Sequence, residues 1–214
     1  MKPEKPQIPE SIQTVNDMEK MIPIAARDEV DVLNICFENT FLNRCDIGAI
    51  EFRGCRFQNC RFADCRLDGA FFCDVTFSDC DLSNLVFSGC SFRRVEFCRC
   101  KIVGTLFPDS YLEHVLFQGC TGKWASLTGS KWKKVLLEDC DFSEGNFEEC
   151  SFVSVEIVEC NLEKAVFLHT PLRQIDLTSD EIGGIVLSGP ELRGAIVTAL
   201  QASDLARYLG LVIR

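Results

Sequence analysis

From Val32 to Val197 every fifth residue is large and apolar, and this single regularity limits the possible folds more than any other feature of the chain. The run opens Val32, Phe37, Leu42, Ile47, Phe52, Phe57 and holds for 34 positions, with Gly122 the one exception. Fifteen of the 17 Phe lie in it. Two residues earlier comes a slot for small side chains. It takes 11 of the 14 Cys: Cys45, Cys55, Cys60, Cys65, Cys80, Cys90, Cys100, Cys120, Cys140, Cys150 and Cys160. Two residues after the large position, Gly, Asn or Asp stands in 18 of 34 cases. Those residues tolerate tight-turn backbone angles. Neither the 3.6-residue period of a helix nor the two-residue period of a strand accounts for such spacing. The chain reads as short straight segments with a corner every five residues.

Four corners complete a lap. Taken every twentieth residue, the small slot gives Cys60, Cys80, Cys100, Cys120, Cys140 and Cys160, and a second column runs Ile35, Cys55, Val75, Val95, Val115, Val135, Val155, Ile175. Like falls on like at a spacing of 20, as in a four-sided all-β solenoid whose large and small slots both point inward. At a strand spacing of roughly 4.8 Å, about 8.5 coils make a rod on the order of 40 Å long. Gly122 and Trp132 are two pentapeptides apart and face each other across one coil, so Trp132 is expected to fill the space Gly122 leaves. With 47% apolar and 25% charged residues the chain has an ordinary globular composition, and no apolar run is long enough for a transmembrane helix. The N-terminus carries no apolar secretion segment, so a cytoplasmic location is expected.

The two ends fall outside the repeat. Residues 1–31 form an expected N-terminal cap: Pro3, Pro6 and Pro9 mark an extended lead-in, and residues 16–21 a short helix stopped by Pro23. The β-helix spans 32–197. In residues 198–214, Thr198 and Gln201 read as a capping box. Ala202, Leu205 and Leu209 follow as an apolar helical stripe with Tyr208 beside it. Gly210 is a helix stop, and Leu211, Val212 and Ile213 read as a short strand.

Segments such as Cys55-Arg56-Phe57-Gln58-Asn59-Cys60-Arg61-Phe62-Ala63-Asp64-Cys65 resemble the pentapeptide-repeat family, whose motif is A-[DN]-L-x-x with Cys often replacing Ala and Phe replacing Leu. The resemblance implies a right-handed quadrilateral β-helix. It says little about function, because such repeats occur in many settings. The C-terminal helix followed by Leu-Gly-Leu-Val-Ile is similar to the tail of the Qnr/MfpA group of quinolone-resistance proteins. That resemblance implies a head-to-head homodimer through Ala202, Leu205, Tyr208, Leu209, Leu211, Val212 and Ile213. It further implies a DNA-like acidic rod that binds the DNA saddle of the DNA gyrase A subunit or its topoisomerase IV equivalent. The long loops that project from some members of the group are absent, since the five-residue phase never slips.

Charge is unevenly placed along the rod. Residues 32–134 carry 11 acidic and 13 basic side chains, whereas residues 135–191 carry 13 acidic and two basic ones. Glu138, Asp139, Asp141, Glu156, Glu159 and Asp176 flank one column in successive coils and form the candidate partner-binding surface. Such a field would steer association with a basic groove. An acidic excess also serves solubility alone. Duplex DNA, at one charge per roughly 1.7 Å, is denser in charge than this surface, so the expected mimicry is partial. A second column, Arg53, Arg93, Lys133, Arg173 and Arg193, with Arg94 and Lys134 adjacent, reads as a solvated stripe balancing nearby acids.

Catalytic chemistry is not expected. The Cys spacing is wrong for zinc, so the thiols read as small buried side chains in a reducing compartment. His114 and His169 sit at exposed corner positions about three coils apart and cannot pair. No phosphate-binding Gly loop is present. Neither a metal, a cofactor, a nucleic acid nor a membrane is expected as a ligand. Two readings remain: a topoisomerase-binding DNA mimic, and a structural scaffold solenoid for another protein. A factor protecting its own cell against a topoisomerase-directed compound would use the same surface.

Overall fold

A computed structural model of the 214-residue chain describes residues 2–211, with Leu209 described in its backbone only. It is the four-sided parallel β-helix that the period of five and the lap of twenty imply. After β1 (Gln13–Val15) and α1 (Met18–Arg27), the early coils carry β2 (Val32–Leu33), β3 (Ile35–Glu38), β4 (Phe41–Asn43), β5 (Glu51–Arg53), β6 (Arg56–Gln58) and β7 (Arg61–Ala63). The central coils carry β8 (Phe71–Ser78), β9 (Ser91–Cys98), β10 (Tyr111–Gln118) and β11 (Lys131–Glu138), followed by β12 (Ser151–Val153) and β13 (Glu156–Val158). Every pairing from β2 onward is parallel and displaced by twenty residues, as in Phe52↔Phe72, Phe72↔Phe92 and Phe77↔Phe97. Single bridges such as Val86↔Leu106 and Asp141↔Asn161 tie the other two sides.

The corners lie in the left-handed backbone region. Asn34 has φ 54, Asp64 φ 53, Arg94 φ 52 and Trp124 φ 59. Side chains with a Cβ seldom occupy that region. The conformation is held from outside: corner N–H groups donate to the next coil, Asn34 to the Arg53 carbonyl at 2.8 Å and Lys164 to the Gly183 carbonyl at 2.8 Å. A preference for Gly, Asn and Asp is therefore visible, but the ladder imposes the same angles on Arg, Lys and Glu.

Inside, the coil spacing stacks aromatic rings. Phe37, Phe57, Phe77, Phe97 and Phe117 form one column with centroid separations of 5.1, 4.8, 5.0 and 4.7 Å. The small slot is more than small. Cys55 donates its thiol to Val32 O (3.2 Å), Cys60 to Phe37 O (3.3 Å) and Cys80 to Phe57 O (3.3 Å), each 23 residues back. Where a hydroxyl replaces the thiol the bond persists: Thr105 to Leu82 O (2.8 Å), Ser110 to Phe87 O (2.7 Å). The slot thus selects a short donor that gives a buried carbonyl a hydrogen bond, in some coils beside a backbone N–H such as that of Leu85 on Leu82 O (3.4 Å). All 14 cysteines are free thiols, and burial pushes Cys55 up to about 11 and Cys90 up to about 12.

Two local expectations need correction. A Cβ added to Gly122 would meet Phe142 Cε1 at 2.6 Å, so the ring of the next coil occupies that space. Trp132 is buried elsewhere, donating Nε1–H to Ser130 Oγ at 2.7 Å and lying 5.0 Å from the Phe152 ring. Stacking at one coil spacing brings Phe142 closer than a side chain reaching across the coil. Second, α1 does not stop at Pro23 but contains it. An interior proline removes one N–H and crowds the carbonyl four residues back, and burial of the Met18, Ile22, Ala25 stripe offsets that cost. Of the expected C-terminal strand, Leu211 has no regular structure, and Val212 and Ile213 lie outside the described residues.

The C-terminal end is closed by a 3-10 turn (Pro190–Leu192), α2 (Ala199–Leu205) and a second 3-10 turn (Ala206–Leu209) ending at Gly210, φ 72. The capping box forms: Thr198 Oγ1 accepts Gln201 N–H at 3.2 Å, and Gln201 Oε1 accepts Thr198 N–H at 2.8 Å. Among the described residues no helix is long and apolar enough to cross a membrane.

Candidate partner-binding surface

The six acidic residues singled out above occupy one corner and the two sides that meet at it. Register places Asp139 and Glu159 on one corner of successive coils, with φ of 53 and 54. Glu138 lies on the adjoining side beside Val158, and Glu156 follows Leu136 in the same ladder, with Asp176 one coil further on. Asp141 starts the next side, bridged to Asn161 and through it to Glu181. Along the corner runs an open groove of about 410 Å³ whose lining includes Asp139, Asp141, Glu159 and Glu181 and no basic residue. Among the described residues that line the groove no cation stands beside the four carboxylates.

The same corner nearer the N-terminus is balanced. There Arg99 makes a two-pronged bond to Asp79 (2.8 and 2.7 Å), and Arg61 approaches Asp81 at 3.9 Å. In the acidic half, Glu138 accepts from Gln118 Nε2 (2.8 Å) and Asp176 from Thr178 Oγ1 (2.6 Å), both neutral donors. Those hydrogen bonds from Thr178 hold the Asp176 carboxyl below its usual value. Around the rod the negative field continues through Glu148 and Glu149, whose oxygens lie within 4.8 Å of a His169 ring nitrogen. Of the basic column, Arg53 pairs with Glu51 (2.7 Å) and Lys133 with Glu113 (2.7 Å), and the adjacent Arg94 pairs with Asp74 (2.6 Å).

Two acids counted in the sequence do not belong to the surface. Asp180 takes the position after Cys160 in the thiol column and is buried, accepting Cys160 N–H at 2.8 Å through Oδ1 while Oδ2 has no partner. Burial pushes its carboxyl up to about 6. Glu191 is also buried. Burial opposes its charge, but donors from Ser188 Oγ (2.7 Å), Ser188 N (3.1 Å), His169 N (3.0 Å) and Gly189 N (2.9 Å) bring it down to about 2.

This geometry corrects the charge-density comparison. Residues 135–191 occupy about 14 Å of axis at the strand spacing. Without Asp180 and Glu191, eleven acids and two bases remain on that surface. The net value is about one charge per 1.5 Å, close to the roughly 1.7 Å of duplex DNA. Compression of twenty residues into one strand spacing is what raises the density.

The expected dimer residues divide. Leu205 is 7% exposed and packs on the last coil, and Tyr208 is half-buried there, its hydroxyl donating to the Ile185 carbonyl. Ala202 and Leu211 are exposed. The Leu209 side chain, Val212 and Ile213 lie outside what is described. Leu200, 78% exposed, and Ile196, 48% exposed, add apolar surface at this end that the helical stripe did not single out. Leu200 lies on the face of α2 opposite Leu205, the one residue of the stripe seen to be buried in the monomer.

Sequence profiles for the pentapeptide repeat region and for pentapeptide repeats match residues 70–142 and 133–168. The chain is a pentapeptide-repeat protein. A search of curated protein sequences returns no match. Among solved structures, this pentapeptide-repeat protein resembles a trypsin-treated variant of QnrB1, a plasmid-mediated fluoroquinolone resistance protein. The identity is 23%, over 84% of this chain and 90% of that one, with a TM-score of 0.52. Full-length QnrB1 (20% identity, 93% and 95% covered, TM-score 0.44) and HetL from the cyanobacterium Nostoc (13%, 81% and 92%, 0.27) superpose less well. The likeness to the trypsin-treated variant, at 23% identity, supports the fold alone.

Proposed function

We propose that this pentapeptide-repeat protein is a DNA mimic that docks its acidic half in the DNA-gate groove of a type II topoisomerase, the DNA gyrase A subunit or its topoisomerase IV equivalent. One observation carries the reading: the acidic corner from Asp139 to Glu181 has no cation in its lining, within a half of the rod, residues 135–191, whose net charge taken around all four sides is about one per 1.5 Å, close to duplex DNA. The acidic half adjoins the C-terminal end, so a head-to-head homodimer through Ala202, Leu211 and their neighbours would join two such surfaces into one central field. Occupancy of the groove would modulate supercoiling and protect the enzyme from quinolones.

The test is a titration into a gyrase supercoiling assay with and without a quinolone, alongside the molar mass in solution. Inhibition or protection by a dimer is expected. The triple charge reversal Glu138→Lys, Asp139→Lys, Glu159→Lys is expected to weaken the effect at least tenfold while leaving the melting curve in place. Absence of inhibition, protection and pull-down would reject the reading. A second reading has its own support. Leu205 is buried and Tyr208 half-buried against their own coil, as in a tail that merely caps a scaffold solenoid. A monomer in solution would favour it.

A further inference from the structure

The expectation that His114 is an exposed corner residue fails, and the reason is the N-terminal lead-in. His114 is 7% exposed because Glu4 lies on it: Glu4 N–H donates to His114 Nδ1 at 2.9 Å, and a Glu4 carboxylate oxygen lies 3.4 Å from Nε2. Two coils back along the same corner, Gln7 N–H donates to Asp74 Oδ1 at 2.8 Å. One coil further, a methyl added to Gly54 would lie 3.4 Å from Pro9 Cδ. Asp74 is itself clamped by Arg94, with Nε and Nη2 each 2.6 Å from a carboxylate oxygen. Residues 2–9 therefore run as a strap along the rod, over a corner made of Gly54, Asp74, Arg94 and His114.

The fit has a geometric cause. Pro3, Pro6 and Pro9 recur every third residue, the repeat of a polyproline II helix, which rises about 3.1 Å per residue. Three residues of strap thus cover about 9.3 Å, and two coils cover about 9.6 Å. The N–H groups of Glu4 and Gln7, three residues apart, meet acceptors two coils apart without strain. Polyproline II has no internal hydrogen bonds, so those N–H groups are free to be read by a partner surface.

We propose that the corner from Gly54 to His114 is a recognition groove for a polyproline II peptide, filled by the chain's own residues 2–9 and open to a partner's Pro-x-x-Pro segment that displaces them. Asp74, oriented by Arg94, and His114 are the acceptors. Selectivity comes from the three-residue spacing of the N–H groups against the coil spacing.

The experiment uses the full chain carrying Glu4→Pro and Gln7→Pro, which removes both N–H donors, keeps the polyproline II shape and leaves every coil unchanged. A Glu-specific protease then reports release of the strap by faster cleavage after Glu10. A fluorescent peptide of residues 2–10 is titrated into both proteins and read by anisotropy. The double variant is expected to bind saturably and at least tenfold more tightly than the unaltered chain, whose tethered strap competes at high effective concentration. Adding Asp74→Ala should abolish binding. In the unaltered chain, amide exchange at Glu4 and Gln7 should be slowed, yet faster than global unfolding. Unchanged cleavage after Glu10, no peptide binding by the double variant, equal binding by both proteins, or unprotected Glu4 and Gln7 amides would each overturn the proposal.

Discussion

Replacing Asp180 by asparagine should make the protein more resistant to neutral pH, and the size of the effect follows from where the carboxyl sits. Asp180 is buried at the end of the Cys60–Cys160 column with one oxygen bonded to Cys160 N–H and the other without a partner. Burial lifts it from 3.8 to about 6. Because the folded state holds the proton more tightly than the unfolded chain, stability is fully present below the unfolded value and falls as pH rises through about 6. At 1.36 kcal/mol per pH unit, that interval corresponds to a loss of about 3 kcal/mol by pH 7 to 8. The amide that Asp180→Asn introduces would keep the acceptor for Cys160 and cannot ionise. Its unpaired NH2 adds an offset of about 1–3 kcal/mol that does not depend on pH. Urea unfolding of both proteins from pH 4 to pH 8, followed by circular dichroism, isolates the effect as a difference of differences. The variant should gain about 3 kcal/mol on the wild type across that range, with the change centred between pH 4 and pH 6. A difference that stays constant with pH, or grows in the opposite sense, would refute the reasoning.

Glu191 has the opposite sign. Its folded value near 2 against 4.5 means stability present above 4.5 and lost as pH falls through 2, so Glu191→Gln should cost up to about 3 kcal/mol at pH 7 and progressively less in acid unfolding below pH 4.5. Gly122→Ala places a methyl against Phe142 and should cost about 1–3 kcal/mol in urea unfolding, with Phe142→Leu relieving part of it. Phe97→Ala breaks a ring column with neighbours at 5.0 and 4.7 Å on either side and should cost about 3–5 kcal/mol by the same measurement. Thr198→Ala removes the cap of α2 and should cost about 1 kcal/mol, seen first as faster amide exchange at Gln201.

The β-helix was legible because its rule is local and repeated. A large side chain every fifth residue, a small one two before and a turn former two after state the coil many times over, and Cys60 to Cys160 count its perimeter. The six acidic residues were legible as a cluster because columns in a solenoid follow from arithmetic alone. Three things were decided only by tertiary structure. Phe142 rather than Trp132 fills the space over Gly122, because stacking between coils outcompetes contact across a coil. Glu191 leaves the acidic surface, because a slot that reads as polar in the chain can point inward where backbone donors await it, whereas Asp180 stands in the small slot that the period already turns inward. His114 disappears under Glu4, a residue 110 positions away. Periodicity prescribes the position of each side chain on its own coil, but it is silent on which non-repeating segment comes to lie across that position, since that depends on contacts between parts of the chain that share no common rule.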